Sequence, residues 1–277
     1  MQALASAIFL FSIILLFLFI NFNFSLIFYN FILISSTIIL KRGAAPFHFW
    51  FPRVIEGLNW NSNFLLITWQ KIAPIIILSY SLRFNLIVII ILLSIIFGSL
   101  GGINQTSLRK LLAFSSINHL GWILAGIINN ETIWLTYFIF YRFLNFRIVY
   151  LFNSYKLFNI NQTFKIFLSN KFSRISLFLL LISLGGLPPF LGFFPKWLII
   201  ELLVKNNLFF LLTIILFLTL ITLYFYLRIA YAALLINHIS INWSWKRFNP
   251  KNFSFLIFIN FLSISGLFLI NIFYIFI

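Results

Sequence analysis

Acidic groups and sulfur are nearly missing from this sequence. It has no cysteine, one methionine, and only three carboxylate side chains, Glu56, Glu131 and Glu201, in 277 residues. Without cysteine there are no disulfides, thiolate metal sites or cysteine nucleophiles. Three scattered glutamates and three histidines offer no metal-ligand spacing. No glycine-rich phosphate loop is present, because "GSLGG" (98–102) lies inside an apolar run without strand–turn–helix context. Charge of any kind is scarce at 8%, against about a quarter in soluble domains. What abounds is apolar: 63% hydrophobic residues, 40 phenylalanines and a mean hydropathy of +1.11. So much apolar surface cannot be hidden in a water-soluble core, so the chain reads as an integral membrane protein in contact with lipid. The net charge of +16 comes from 19 cations that form no basic block. That argues against a nucleic-acid partner and for basic loops on one side of a membrane. The first apolar run lacks a basic leader and a cleavage site, so it is expected to be a span and not a signal peptide.

A span needs about 20 mostly apolar residues. Nine are expected, at 3–20, 24–50, 64–82, 85–103, 107–128, 133–152, 175–204, 208–235 and 255–277. The even-numbered connections and their edges hold Arg53, Arg109, Lys110, Lys156, Lys165, Lys171, Arg174, Lys246, Arg247 and Lys251. The odd ones hold Arg83 and Lys205. This alternation puts the N-terminus on the basic side. The fold class is therefore all-α and polytopic, one membrane domain over 1–277, with 153–174 as its longest polar loop.

Two of the spans are too long and broken. The first contains "LKRGAAPFHFWFP", with Gly43 and Pro46. The second contains "LISLGGLPPFLGFFPKW", with Gly185, Gly186, Pro188, Pro189 and Pro195. In hydrocarbon a helix break survives only where protein or water lines it. Such breaks in corresponding places mark sites in inverted-repeat transporters. These two lie five spans apart, an odd number, so the second runs through the membrane in the opposite direction.

Lysines accompany the breaks. Lys41 precedes the first and Lys196 follows the second, each also long enough to snorkel toward an interface. Lys71, in "LLITWQKIAPIIIL", lies near the middle of its span, where a lysine costs at least about 2.5 kcal/mol to insert. Glu201 follows Lys196 at i+5, about 140° around the helix, and is better placed to pair with Lys205 at i+4. His48 follows Pro46. His119 lies mid-span beside Ser115, Ser116 and Asn118. A lone buried histidine is most often a hydrogen-bonded structural residue, but histidine as a side chain titrates near neutrality, and the polar neighbours here could hold a file of water.

Four segments carry a resemblance: "KRGAAPFHFWFPRVIEGLNW", "TWQKIAP", "GGINQTSLRKLLAFSSINHLGW" and "GGLPPFLGFFPKW". In this order, over about residues 3–235, they resemble the mitochondrial NADH-dehydrogenase subunit 2 family, antiporter-like membrane subunits of respiratory complex I. The resemblance implies a pair of proton half-channels built from two inverted five-helix repeats. A partial first repeat would cover 1–128, the second 133–235, and a C-terminal span 255–277. It implies that Lys41, Lys71 and Lys196 translocate protons within a proton-translocating NADH:ubiquinone reductase. It implies no cofactor on this chain, since NADH, FMN, iron–sulfur clusters and ubiquinone belong to other subunits. The implied partners are other complex I membrane subunits. The implied place is the mitochondrial inner membrane, with the N-terminus and basic loops on the matrix side.

The sequence also departs from that family. Animal members begin with two further helices, the second carrying a "GLE"- or "GFE"-like glutamate that pairs with the first lysine. This chain opens in what resembles the third helix, so its first repeat is expected to be incomplete. Arg42, Arg53 and Arg142 stand where the family has small or uncharged residues, and isoleucine stands where it often has methionine. Many invertebrate mitochondria read AUA as methionine and AGA as serine, and reading these codons so would account for both departures. Two other functions fit the same residues: a cation/proton antiporter subunit of shared ancestry, which sodium dependence would reveal, and a structural spacer that does not pump because its first repeat is incomplete.

Overall fold

Backbone amides in hydrocarbon must bond within their own segment, which leaves the helix as the natural state of each long apolar run. The computed structural model describes residues 2–19, 24–81, 84–128, 131–163, 171–188, 190–235 and 261. Among these residues are ten helices and a single isolated bridge, Ser107 with Asn159. The helices are α1 (Gln2–Phe19), α2 (Phe24–Arg42), α3 (Trp50–Gly57), α4 (Trp60–Ser81) and α5 (Phe84–Ile103). They continue as α6 (Leu108–Ile127), α7 (Glu131–Ser154), α8 (Lys171–Gly185), α9 (Phe193–Lys205) and α10 (Phe209–Leu235).

Both expected breaks divide their runs. The run at 24–50 becomes α2, an irregular stretch and the short α3. The run at 175–204 becomes α8 and α9. By length and composition three described helices are able to cross a membrane: Trp60–Ser81, Phe84–Ile103 and Phe209–Tyr231. Gln2–Leu18 and Ile175–Gly185 are shorter apolar helices. Of the pieces of the broken runs, α3, α8 and α9 fall short because each is brief. α6 and α7 fall short because Arg109, Lys110, Asn118, His119, Arg142, Asn145 and Arg147 dilute them. Apart from Phe261, the ninth expected span, 255–277, lies outside the described residues, as do the cations Arg83, Lys165, Lys246, Arg247 and Lys251.

At the centre is α6. It is buried along nearly its whole length, from Leu111 to Ala113 and from Ser115 to Gly126. A helix buried all round has no polar stripe to turn outward. One apolar cluster packs α2 to α5 and α9 around the C-terminal two-thirds of α6, through Ile38, Phe51, Ile75, Ile95, Ile117 and Leu203. A second joins the start of α6 to the end of α7, α8 and α10, through Leu108, Leu112, Phe152, Leu181 and Tyr226. The outer faces stay apolar, with Phe17, Tyr80, Ile139, Phe210 and Phe217 all exposed.

The described part of the long polar connection, 155–163, folds back onto the start of α6. Leu108 donates its N–H to the Phe158 carbonyl at 2.9 Å, and Ile160 donates to Thr106 at 3.0 Å. Arg109 donates to the carbonyls of Glu56 and Leu58 and lies 4.3 Å from the centre of the Phe158 ring. Lys110 pairs with Glu56 at 2.7 Å.

Candidate functional site: two buried lysines against a central helix

At the first break α2 ends at Arg42, and Gly43 takes φ +68°, the left-handed conformation that glycine adopts without a Cβ clash. The Gly43 N–H bonds the Leu40 carbonyl at 3.2 Å and the Ala44 N–H bonds Ile39 at 3.2 Å, closing the helix end. The Trp50 indole also donates to the Leu40 carbonyl, at 3.0 Å. The Ala45–Pro46 bond is cis, and Pro46 is exposed. His48 is buried and stacks between Phe49 and Phe97, with ring centroids 4.3 and 4.7 Å away.

The lysine held against this break is Lys71, not Lys41. Lys71 is 2% exposed. Its Nζ stands 4.7 Å from the centre of the Phe51 ring and donates to the Ser116 carbonyl at 3.5 Å. The buried Arg42 is its cationic neighbour. Lys41 is exposed. It lines a groove of about 280 Å³ between α1, α2 and α4, together with Gln2, Thr37, Gln70 and Pro74. Pro74 sits inside α4. It has no N–H to give the Gln70 carbonyl one turn back, so that carbonyl loses its helical partner beside Lys71. The motif "KIAP" announces this irregularity, although no glycine accompanies its proline.

At the second break α8 ends at Gly185, and Gly186 takes φ +76°. Lys196, on the first turns of α9, reaches back and donates to the Gly185 carbonyl at 2.7 Å. A cation there meets the negative end of the α8 dipole. Lys196 is 6% exposed, and its Nζ lies 5.6 Å from the centre of the Trp122 ring. Pro195 is buried beside it and Pro188 is exposed; Pro189 lies outside the described residues. Gly192 touches the end of α8 so closely that a Cβ would sit 1.7 Å from the Ser183 carbonyl oxygen.

Between the two lysines runs α6. Ser116, His119 and Trp122 are spaced i, i+3, i+6, so they lie on one slowly turning stripe and span about 9 Å along the axis. Ser116 offers its carbonyl to Lys71, and Trp122 offers its ring to Lys196. His119 lies between them, 5% exposed, with Nδ1 at 2.8 Å from the Tyr137 hydroxyl. The Ser115 and Ser116 hydroxyls donate back to Leu112 and Ala113 at 2.8 and 2.7 Å. Their lone pairs remain free to accept.

Glu201 does not join this set. It is exposed and pairs with Lys205 at 2.7 Å. The described ion pairs are this one and Lys110–Glu56, so neither buried lysine is bonded to a carboxylate among the described residues. The arrangement is two buried lysines at opposite helix breaks, joined by a stripe of α6 with a histidine at its middle. Trp122, Tyr137, Tyr141 and Asn145 are members that the sequence reading did not single out. Their signal was available, since Tyr137, Tyr141 and Asn145 recur at i, i+4, i+8, a polar line down an otherwise apolar α7.

Residues 1–222 match the family model described as NADH:quinone oxidoreductase/Mrp antiporter, TM. The NADH-ubiquinone oxidoreductase chain 2 of Anopheles gambiae is 54% identical over 276 residues, which cover 99% of this chain and 81% of that protein. A chain in the structure of respiratory complex I from Thermus thermophilus with bound Aureothin superposes with a TM-score of 0.80 at 21% identity, over 96% of this chain and 65% of that one. A chain of the Mrp complex from a Dietzia species superposes with a TM-score of 0.74 at 17% identity, over 90% of this chain and 52% of that one. The two superpositions show a shared fold, and the mosquito protein is similar along nearly the whole sequence. The chain thus belongs to the NADH:quinone oxidoreductase/Mrp antiporter membrane family, among the NADH-ubiquinone oxidoreductase chain 2 proteins.

Proposed function

We propose that this chain is a membrane-arm subunit of the proton-translocating NADH:ubiquinone oxidoreductase and moves protons across the mitochondrial inner membrane along Lys71, His119 and Lys196. One observation carries the reading: two lysines are buried at the two helix breaks without carboxylate partners among the described residues, and one helix links them. Intramembrane lysines are costly and serve ion pathways. A lysine can take up or release a proton, and where charge is expensive its state responds to any neighbouring change of charge. The two breaks belong to inverted repeats, the first within 1–128 and the second within 133–235. Redox cofactors sit on neighbouring subunits. The outer apolar faces meet those subunits and lipid, and the basic loops face the matrix. Lys41, at the groove beside α1, serves as the entry or exit cation of the first repeat.

Lys71→Met keeps side-chain length and removes the titratable group. The complex is expected to assemble while NADH-driven proton translocation falls by about 100-fold. Proton translocation at the wild-type rate would show the lysine to be dispensable. A second reading, a cation/proton antiporter subunit, is favoured by the Mrp half of the family description and by the shared fold. Sodium-dependent proton movement in vesicles carrying the assembled complex would select it.

A further inference from the structure

His119 has a hydroxyl partner that no proton path through lysines requires. Tyr137 is 2% exposed, and its hydroxyl lies 2.8 Å from His119 Nδ1. Its ring is held parallel to Trp122, with centroids 6.4 Å apart and planes 7° apart. Trp122 is the residue whose other neighbour is the Lys196 ammonium. The phenol therefore has little freedom to swing away. Tyr141, one turn further along α7, sets its ring 4.8 Å from the His119 ring. Its hydroxyl is buried beside Ser116 and Asn145, and that of Tyr226 on α10 is buried beside Ser115. A buried phenol O–H is costly unless bonded. Two phenols set against one histidine, with the Tyr226 hydroxyl acting on both, is an expensive arrangement for packing alone.

We infer that Tyr137 is a further proton-transfer residue of this chain, acting at Nδ1 of His119, with Tyr141 and Tyr226 continuing the hydroxyl line. This rests on the proton-translocating reading above. Neutral imidazole that accepts at Nδ1 carries its proton on Nε2. A proton arriving at the Tyr137 oxygen forms one O–H bond as the existing O–H passes its proton to Nδ1. One N–H bond forms at Nδ1, and the Nε2–H bond breaks to release a proton on the far side of the ring. Tyrosine ends as a neutral phenol and histidine as a neutral imidazole of the opposite tautomer. One proton has entered and one has left. The pair resets by a turn in which no proton crosses: the phenol O–H and the imidazole ring reorient until a bare ring nitrogen again faces the Tyr137 hydroxyl and an N–H faces the far side. Lys71 from α4 and Lys196 from α9 are the cations that act on His119, and Tyr137 and Tyr141 face it from α7.

The test uses the whole complex in mitochondria homoplasmic for each variant. Tyr137→Phe keeps the ring and its stacking and removes the hydroxyl. NADH-driven proton translocation per assembled complex is expected to fall about tenfold or more, with a larger solvent deuterium effect. The double variant Tyr137→Phe/His119→Gln is expected to pump no worse than His119→Gln alone, because the hydroxyl acts only through the histidine. Pumping by Tyr137→Phe within about twofold of wild type, or losses that multiply in the double variant, would overturn the inference. Should Tyr137→Phe fail to assemble, infrared difference spectra of wild-type complex labelled with ¹³C-tyrosine decide. A phenol C–O band that shifts on turnover and is lost in His119→Gln supports the relay, and no such band overturns it. Lys71→Met separates the two ideas. If it pumps normally, the lysine path of the proposed function falls, and the relay built on it falls too. If it is inactive while Tyr137→Phe pumps, only the tyrosine relay falls.

Discussion

A guanidinium in the middle of a packed bundle needs a reason. Arg42 is 2% exposed, and its three side-chain nitrogens have no hydrogen-bond partner among the described residues. Leaving a buried charge unpaired is among the costliest things a protein can do. Arg142 is half-buried at the α4–α7 contact, 5.5 Å from the centre of the Trp69 ring. A cation–π contact returns about 0.5–1 kcal/mol, less than the 2.5 kcal/mol or so that an arginine costs at mid-membrane. Serine at either position would remove the cost. Arg53 is exposed and carries no such penalty. Reading AGA as serine therefore has a physical ground at 42 and 142. Peptide mass spectrometry of the natural protein is expected to find serine at both, and arginine at either would refute the reading for that position.

Between elements, the tightest fit is at the second break. The pass from α8 to α9 brings Gly192 against the Ser183 carbonyl, where a Cβ would sit 1.7 Å from the oxygen. That atom is backbone and cannot rotate aside. Gly192→Ala must push α9 away from α8 and with it Lys196 from the Gly185 carbonyl. The expected cost is about 1–3 kcal/mol or more, seen as a lower yield of assembled complex and faster thermal inactivation. Full assembly and normal stability would show that the break is looser than drawn. Both breaks were legible in the sequence because glycine and proline inside apolar runs have one meaning in hydrocarbon, and Lys71 was legible because its depth could be counted from its flanks. The partner of each lysine was not. Lys41 adjoins the first break along the chain, yet Lys71 reaches it through Phe51. Contact across helices depends on rotation about each axis, and a helix apolar on every face carries no periodicity from which rotation can be read. The phenols of α7 do fall on one line, but they escaped as aromatic residues among many others.

At the scale of the molecule, the basic end is tied by one side chain. Arg109 gives its guanidinium to the carbonyls of Glu56 and Leu58 and lays it on the Phe158 ring, so three connections meet at it. Charge-assisted hydrogen bonds of this kind contribute about 1.5–3 kcal/mol. The neighbouring Lys110–Glu56 pair is half-exposed and contributes about 0–1 kcal/mol. Arg109→Ala is therefore expected to speed thermal inactivation of the complex, whereas Lys110→Ala leaves it nearly unchanged. Equal effects of the two would refute this ranking. The same tie has a meaning in time. A ribosome delivers the chain from its first residue onward, so 56–58 and Arg109 emerge long before Phe158. Until then the N–H of Leu108 and the carbonyl of Thr106 have no partners, because Phe158 and Ile160 supply them. The early helices thus enter the bilayer with their seam open, and it is a late-born segment that fastens it.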